Sequence, residues 1–120
     1  MTGKEYLMQA IELLKKGQNL VETVGEGTKK ADFIKTLEDQ RVTIGNMMDR
    51  VFFKTPKGAN SASIVLESAQ KLQGLLTDLA ARSEEERQKR WPEAEECLRE
   101  FGERVEGMVQ AAQGKTLAFT

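Results

Sequence analysis

The sequence predicts an all-α protein, an antiparallel up-down four-helix bundle built from residues 1–113. Apolar residues recur every three or four positions along most of the chain, which is the period of an amphipathic helix. No stretch of any length alternates with the period of a strand. Short breaker clusters separate the helical stretches, and short links favour antiparallel neighbours. The alternative is a helical hairpin that completes its bundle by dimerisation.

The first helix is expected over residues 4–24. One side of it carries most of the apolar residues: Leu7, Ala10, Ile11, Leu14, Val21 and Val24. Tyr6, Leu13 and Leu20 widen that side. Gly17 lies inside the helix, where it marks a kink or a close contact with another helix. The sequence GEGTKK at 25–30 predicts a break after this helix.

The second helix is expected over residues 31–53, with a heptad-like apolar seam. The seam positions are Ile34, Leu37, Arg41, Ile44, Met48 and Val51. Arg41 is the one charged residue among them. It either pairs with a buried acceptor or extends its aliphatic stem towards water, and we favour the second interpretation.

The third helix is expected over residues 62–81, with Val65, Ala69, Leu72, Leu76 and Leu79 in register. After it, Ser83 and Glu86 match a capping box, with Ser83 as the N-cap and acidic residues in the first turn. Because Pro92 lacks a backbone N–H, we expect a turn or two over 84–90 and a new helix from Pro92 to residue 113. Residues 114–120 are expected to form a short C-terminal tail.

The stretch KTPKGANSAS at 54–63 has two interpretations, a break between helices or a basic loop that holds an anion. A phosphate loop needs several glycines followed by Lys-Ser/Thr, whereas Gly58 stands alone and is followed by Ala59 and Asn60. Pro56 disfavours helical geometry at Thr55. We therefore favour a break, with good N-cap residues for the next helix at its end.

The composition argues against most catalytic and metal chemistry. The chain has no histidine, which removes imidazole ligands and the usual Ser-His and Cys-His catalytic pairs. Its single cysteine, Cys97, flanks an apolar seam and is expected to be a core residue. Glu96, Glu100 and Glu103 are expected opposite that seam, paired with arginines on a solvated face. We therefore expect no metal, no cofactor and no catalysis.

Bulk properties suggest a location and class of partner. A net charge of −1 gives no general attraction to nucleic acid or to an anionic membrane. One cysteine fits a reducing compartment, and neither a signal peptide nor an apolar run long enough to span a bilayer is visible. These features predict a cytoplasmic protein without nucleic-acid or membrane partners.

The function favoured by the sequence is a non-enzymatic protein–protein interaction module. It would be a small adaptor, or a chaperone for a secreted or assembling partner, and would form a homodimer. The extra apolar side chains on the first two helices suggest the contact surface. Its expected residues are Leu13, Leu20, Phe33, Met47 and Arg41. The alternatives are an all-α Mg²⁺-dependent nucleotide pyrophosphohydrolase and a nucleic-acid-associated protein.

Overall fold

A computed structural model describes residues 2–114 of the chain. These residues form four α-helices and one short 3-10 helix, and none of them lies in a strand. The elements in chain order are α1 (Gly3–Val24), α2 (Gly27–Met47), the 3-10 helix (Val51–Lys54), α3 (Pro56–Ala80) and α4 (Glu84–Ala112). The prediction of an all-α protein is confirmed.

Side chains cap the starts of three helices. Thr2 and Glu5 form a reciprocal capping box at α1. Thr55 accepts a hydrogen bond from the Gly58 N–H at the start of α3, and Ser83 accepts one from the Glu86 N–H at the start of α4. The predicted N-cap role of Ser83 is confirmed.

The predicted interruption at Trp91 and Pro92 is wrong, because α4 runs without a break from Glu84 to Ala112. Pro92 removes the N–H that would have bonded to the Gln88 carbonyl. Trp91 is nevertheless buried, and its ring packs against Phe33 of α2 with centroids 5.0 Å apart. Packing of Trp91 against the neighbouring helix therefore favours a continuous helix at this point.

The boundaries around residues 48–63 also differ from the prediction. Helix α2 ends at Met47, before the 3-10 helix, and α3 starts at Pro56 instead of residue 62. Pro56 is the first residue of α3, where its fixed φ suits a helix and the missing N–H costs nothing. The chain does break before Pro56, so the stretch is a helix start, six residues earlier than expected.

Helix α1 packs against both α2 and α3, and α3 packs against α4. Gly17 permits the close approach of α1, since a Cβ there would lie 3.4 Å from Leu76 Cδ1 and 3.9 Å from Leu37 Cδ1. By contrast, α2 comes close to α4 at few positions. The largest fully buried side chains are Phe53, Phe101, Leu7, Leu14, Leu37, Ile44, Leu72, Leu76, Leu79, Val21 and Val65. The α2–α4 side is therefore the least closed part of the core.

The single-domain assignment of residues 1–113 stays a prediction. Helix α4 ends at Ala112, and Gly114 has a φ of 72°, a left-handed conformation that suits glycine after a helix. The predicted tail, apart from Gly114, lies outside the described residues.

Candidate functional site

The start of α2, at the turn after α1, lacks a side-chain cap. Glu26 is the N-cap residue of α2 but its side chain makes no capping hydrogen bond. The first turn contains no acidic residue and instead holds Lys29 and Lys30. Free backbone N–H groups and the helix dipole attract negative charge, so two lysines here add to the positive potential.

Two hydrogen-bond donors of α4 face this turn region. Arg87 and Trp91 are four residues apart and so lie on the same face of α4. Arg87 donates from Nη1 to the Arg82 carbonyl oxygen over 2.8 Å, which fixes the guanidinium. Arg87 Nε and Trp91 Nε1 are both buried and have no hydrogen-bond partner among the described residues. Trp91 as a whole is 7% exposed.

A cleft of about 370 Å³ lies where these donors meet the turn. Gln88 donates to Glu26 Oε2 over 3.2 Å and so connects the α4 side of the cleft to the turn. The lining residues are Val24, Gly25, Glu26, Lys29, Arg87, Gln88 and Trp91. The cleft thus combines two basic side chains and one acidic side chain with apolar walls, and two of its donors lack a partner in the described part of the chain.

A second cleft of about 400 Å³ follows the first along α2 and α4. Its lining residues are Lys29, Asp32, Phe33, Thr36, Gln40, Glu95, Leu98, Arg99 and Gly102. Lys29 belongs to both clefts, and the Phe33–Trp91 aromatic pair lies at their junction. We refer to the lining residues of the two clefts together as the α2/α4 groove.

Of the residues expected at an interaction surface, Phe33 lines the α2/α4 groove, whereas Leu13, Leu20, Met47 and Arg41 do not. Phe33 and Met47 are 3% and 4% exposed. Leu13 and Leu20 are half-buried and pack against the core. The additional apolar side chains that suggested a contact with another copy are therefore largely buried within one chain. Self-association through these residues stays a prediction.

Arg41 is half-buried and donates from Nη1 to Gln18 Oε1 of α1 over 2.7 Å. Neither sequence interpretation described this arrangement fully, since the partner is a neutral amide on the neighbouring helix. The bond joins α1 to α2 beside the core and leaves the guanidinium partly in water.

The stretch at 54–63 forms the start of α3, and Thr55 within it caps that helix. Thr55 Oγ1 accepts from the Gly58 N–H over 3.0 Å, so that N–H is not free for an anion. Gly58 itself is packed against the 3-10 helix, where a Cβ would lie 1.9 Å from the Phe52 carbonyl oxygen. Close packing of α3 against the backbone of the 3-10 helix therefore explains why position 58 is a glycine.

The three glutamates expected opposite the apolar seam of the last helix are paired with basic side chains. Arg99 pairs with both Glu96 and Glu103, and the bond from Arg99 lowers the pKa of Glu96. Glu100 lies 3.5 Å from Lys71 Nζ of α3. Among residues 2–114, no cluster of three or more His, Cys, Asp or Glu side chains is arranged to hold a metal ion.

Cys97 is buried in α4 with 5% of its surface exposed. Burial raises the pKa of its thiol, which disfavours the nucleophilic thiolate. Within the described part of the chain, none of the helices is both long and apolar enough to cross a membrane.

Comparison of the chain with protein-family models, with curated proteins and with solved structures gave no match.

Of the α2/α4 groove, the sequence pattern indicated only Phe33, because the lining residues come together from the turn, α2 and α4. The stretch at 25–30 predicts a break, and the pattern around Pro92 indicates no role for Trp91. One local signal was present: a helix start with Lys29 and Lys30 in its first turn and no Ser, Thr, Asp or Asn as N-cap is unfavourable in isolation. The pairing of that start with Arg87 depends on tertiary structure.

Proposed function

We propose that the protein is a non-enzymatic protein–protein interaction module, an adaptor or a chaperone for a secreted or assembling partner, and that it binds a segment of its partner in the α2/α4 groove. The observation that carries the proposal is the pair of clefts that meet at the Phe33–Trp91 pair. Recognition sites typically combine an apolar floor with a few convergent polar groups.

The dimensions of the groove suit a helical or extended segment. Residues 25–40, which line it on the α2 side, span roughly 22 Å at about 1.5 Å per residue in a helix. An amphipathic helix of about four turns has that length and binds such grooves with its apolar face. Phe33 and Leu98 would form the floor for that face, while Thr36, Gln40 and Arg99 would meet the polar edges.

The absence of catalysis is part of the same proposal. It is supported by the lack of histidine in the sequence and by the engagement of the α4 glutamates with Arg99 and Lys71. A cytoplasmic location and the absence of nucleic-acid partners stay predictions from the sequence.

We also propose that the four helices form an up-down bundle. Contacts between α1 and α2, and between α3 and α4, support antiparallel pairs. These are Lys4–Asp49, Arg41–Gln18, Lys71–Glu100 and Arg90–Asp78. The nearness of Gly3 to Phe53 and of Gly17 to Leu76 supports a parallel α1/α3 pair. In this proposal α2 and α4 run parallel, and their few contacts lie on the side where the groove is.

Self-association remains a separate proposal. Sedimentation velocity over micromolar concentrations tests it directly. A species of constant mass equal to one chain, up to high micromolar concentration, would exclude the homodimer and leave the groove to a different protein.

Site-specific photo-cross-linking in the source cells tests the proposed function. A photoreactive phenylalanine analogue at Thr36 lies in the groove, and the same analogue at Glu67, an exposed position of α3, is the matched control. We expect one dominant protein adduct from position 36 that is absent from position 67. No adduct from position 36, or the same adducts from both positions, would contradict a recognition role for the groove.

A further inference from the structure

Two buried donors border one cleft, and neither has a hydrogen-bond partner among residues 2–114. They are Arg87 Nε and Trp91 Nε1, and both side chains line the cleft at the α1–α2 turn. Buried polar groups in folded proteins almost always have a partner, so an unpaired pair at one place calls for an explanation. The hydrogen bond from Arg87 Nη1 to the Arg82 carbonyl oxygen fixes the guanidinium, so its Nε–H cannot turn towards bulk water.

The surroundings of the donors favour a negatively charged acceptor. The start of α2 has no side-chain cap, and Lys29 lies on the cleft wall. A helix of 21 residues presents a partial positive charge at its uncapped start. The one acidic residue of the cleft, Glu26, is exposed and accepts a hydrogen bond from Gln88.

The number and type of donors favour a carboxylate over a phosphate. A carboxylate has two oxygens in a plane, one for each donor, and a single negative charge for the single guanidinium. A phosphate group has three strong acceptor oxygens, more than these two donors satisfy. The apolar walls, Val24 and Trp91, suit the methylene groups that carry a carboxylate in a peptide.

We propose that the cleft at the α1–α2 turn binds a carboxylate group, whose oxygens accept hydrogen bonds from Arg87 Nε and Trp91 Nε1. The site would anchor one end of a segment bound in the α2/α4 groove, and in this respect alone it rests on the proposed function. The carboxylate would come from an acidic side chain or from the C-terminus of the partner.

A titration with sodium acetate tests the site without any partner. Trp91 is the only tryptophan, so its indole N–H gives a single resonance in a ¹⁵N–¹H correlation spectrum. At pH 7 and constant ionic strength, we expect acetate to move that resonance downfield along a saturating curve. Chloride at the same concentration should leave it in place. A linear or chloride-like response would mean that water alone satisfies the two donors, and would overturn the proposal.

Two variants and a matched control identify the donors. Arg87→Gln should weaken acetate binding more than tenfold, whereas Lys89→Gln, with the same change of charge two residues away and outside the cleft, should bind as the wild type does. Equal binding by Arg87→Gln and the wild type would refute the assignment. If Arg87→Gln loses its helical circular dichroism, Trp91→Phe removes the second donor and keeps a ring. The Gly27 amide resonance then reports binding, and unchanged affinity in Trp91→Phe would equally refute it.

Two short peptides distinguish the sources of the carboxylate. One has an internal glutamate and an amidated C-terminus, and the other has a free C-terminal carboxylate and no acidic side chain. Binding of either one, competing with acetate, supports the site, and binding of neither contradicts it. Inorganic phosphate should bind more weakly than acetate, and tighter binding would make the site a phosphate site instead. Failure of acetate to bind leaves the cross-linking result at Thr36 untouched, so the two proposals fail separately.

Discussion

Gly58→Ala is expected to destabilise the protein, although alanine is normally the better helix residue. A Cβ on Gly58 would lie 1.9 Å from the carbonyl oxygen and 2.6 Å from the carbonyl carbon of Phe52. Carbon–oxygen contacts normally start near 3.3 Å, so α3 and the 3-10 helix would have to separate by roughly 1.4 Å. Overpacking of this kind costs about 1–3 kcal/mol, occasionally more.

Gly74→Ala is the matched control in the same helix, because a Cβ there would meet nothing within 4 Å. It should stabilise the protein by about 0.5–1 kcal/mol, the usual gain from replacing a helical glycine. Urea denaturation followed by circular dichroism at 222 nm measures both variants, and the two free energies of unfolding should differ by roughly 1.5–4 kcal/mol. Equal stabilisation by both alanines would refute the close packing of α3 on the 3-10 helix.

Three further outcomes follow from the packing and the ion pairs. Leu13→Glu should lower the free energy of unfolding by about 1–3 kcal/mol, because Leu13 packs against the core of its own chain. A variant that stays equally stable and converts a dimer into a monomer would assign Leu13 to a contact between copies. Cys97 should react with iodoacetamide at pH 8 more slowly in the native than in the urea-unfolded protein, since burial raises the pKa of its thiol. Equal rates would contradict that burial. The Arg90 guanidinium lowers the pKa of Asp78 in the folded protein. The pair therefore stabilises the fold at any pH above the pKa that Asp78 has in the unfolded chain. This stabilisation is lost as the pH falls through the lower pKa that Asp78 has in the folded protein. Asp78→Asn should therefore melt below the wild type at pH 7 and close to it at pH 2, and a difference independent of pH would count against the pair.

Local signals in the sequence predicted the helices, and the cap at Ser83, where one segment decides the outcome. Ser83 with Glu86 is such a case, since the N-cap and the acidic first turn are neighbours in the chain. The apolar positions Leu72, Leu76 and Leu79 of α3 are another, because their spacing alone places them on one buried face.

Prediction was wrong where distant residues decide the local structure. The helix through Pro92 depends on the packing of Trp91 against Phe33, which is 58 positions away. The start of α3 at Pro56 was misplaced for a different reason, because proline was treated as a breaker although it suits the first position of a helix.

The candidate site could not be predicted from one segment. Its cleft is formed by the α1–α2 turn and by Arg87 and Trp91, and no local pattern states that these parts meet. Conversely, Phe33 and Met47 suggested an external contact because they widen the apolar side of their helix. Both residues are buried, so they pack within the chain.

Isothermal titration calorimetry with the partner recovered by cross-linking, once purified, tests most directly whether the α2/α4 groove is a recognition site. Thr36→Arg places a large charged side chain on the groove wall, and Glu67→Arg places the same side chain on the exposed face of α3. We expect saturable binding by the wild type, binding within about twofold of it by Glu67→Arg, and at least a tenfold loss, or about 1.4 kcal/mol, in Thr36→Arg. Equal affinity of Thr36→Arg and the wild type would contradict the proposal and place the partner on another surface.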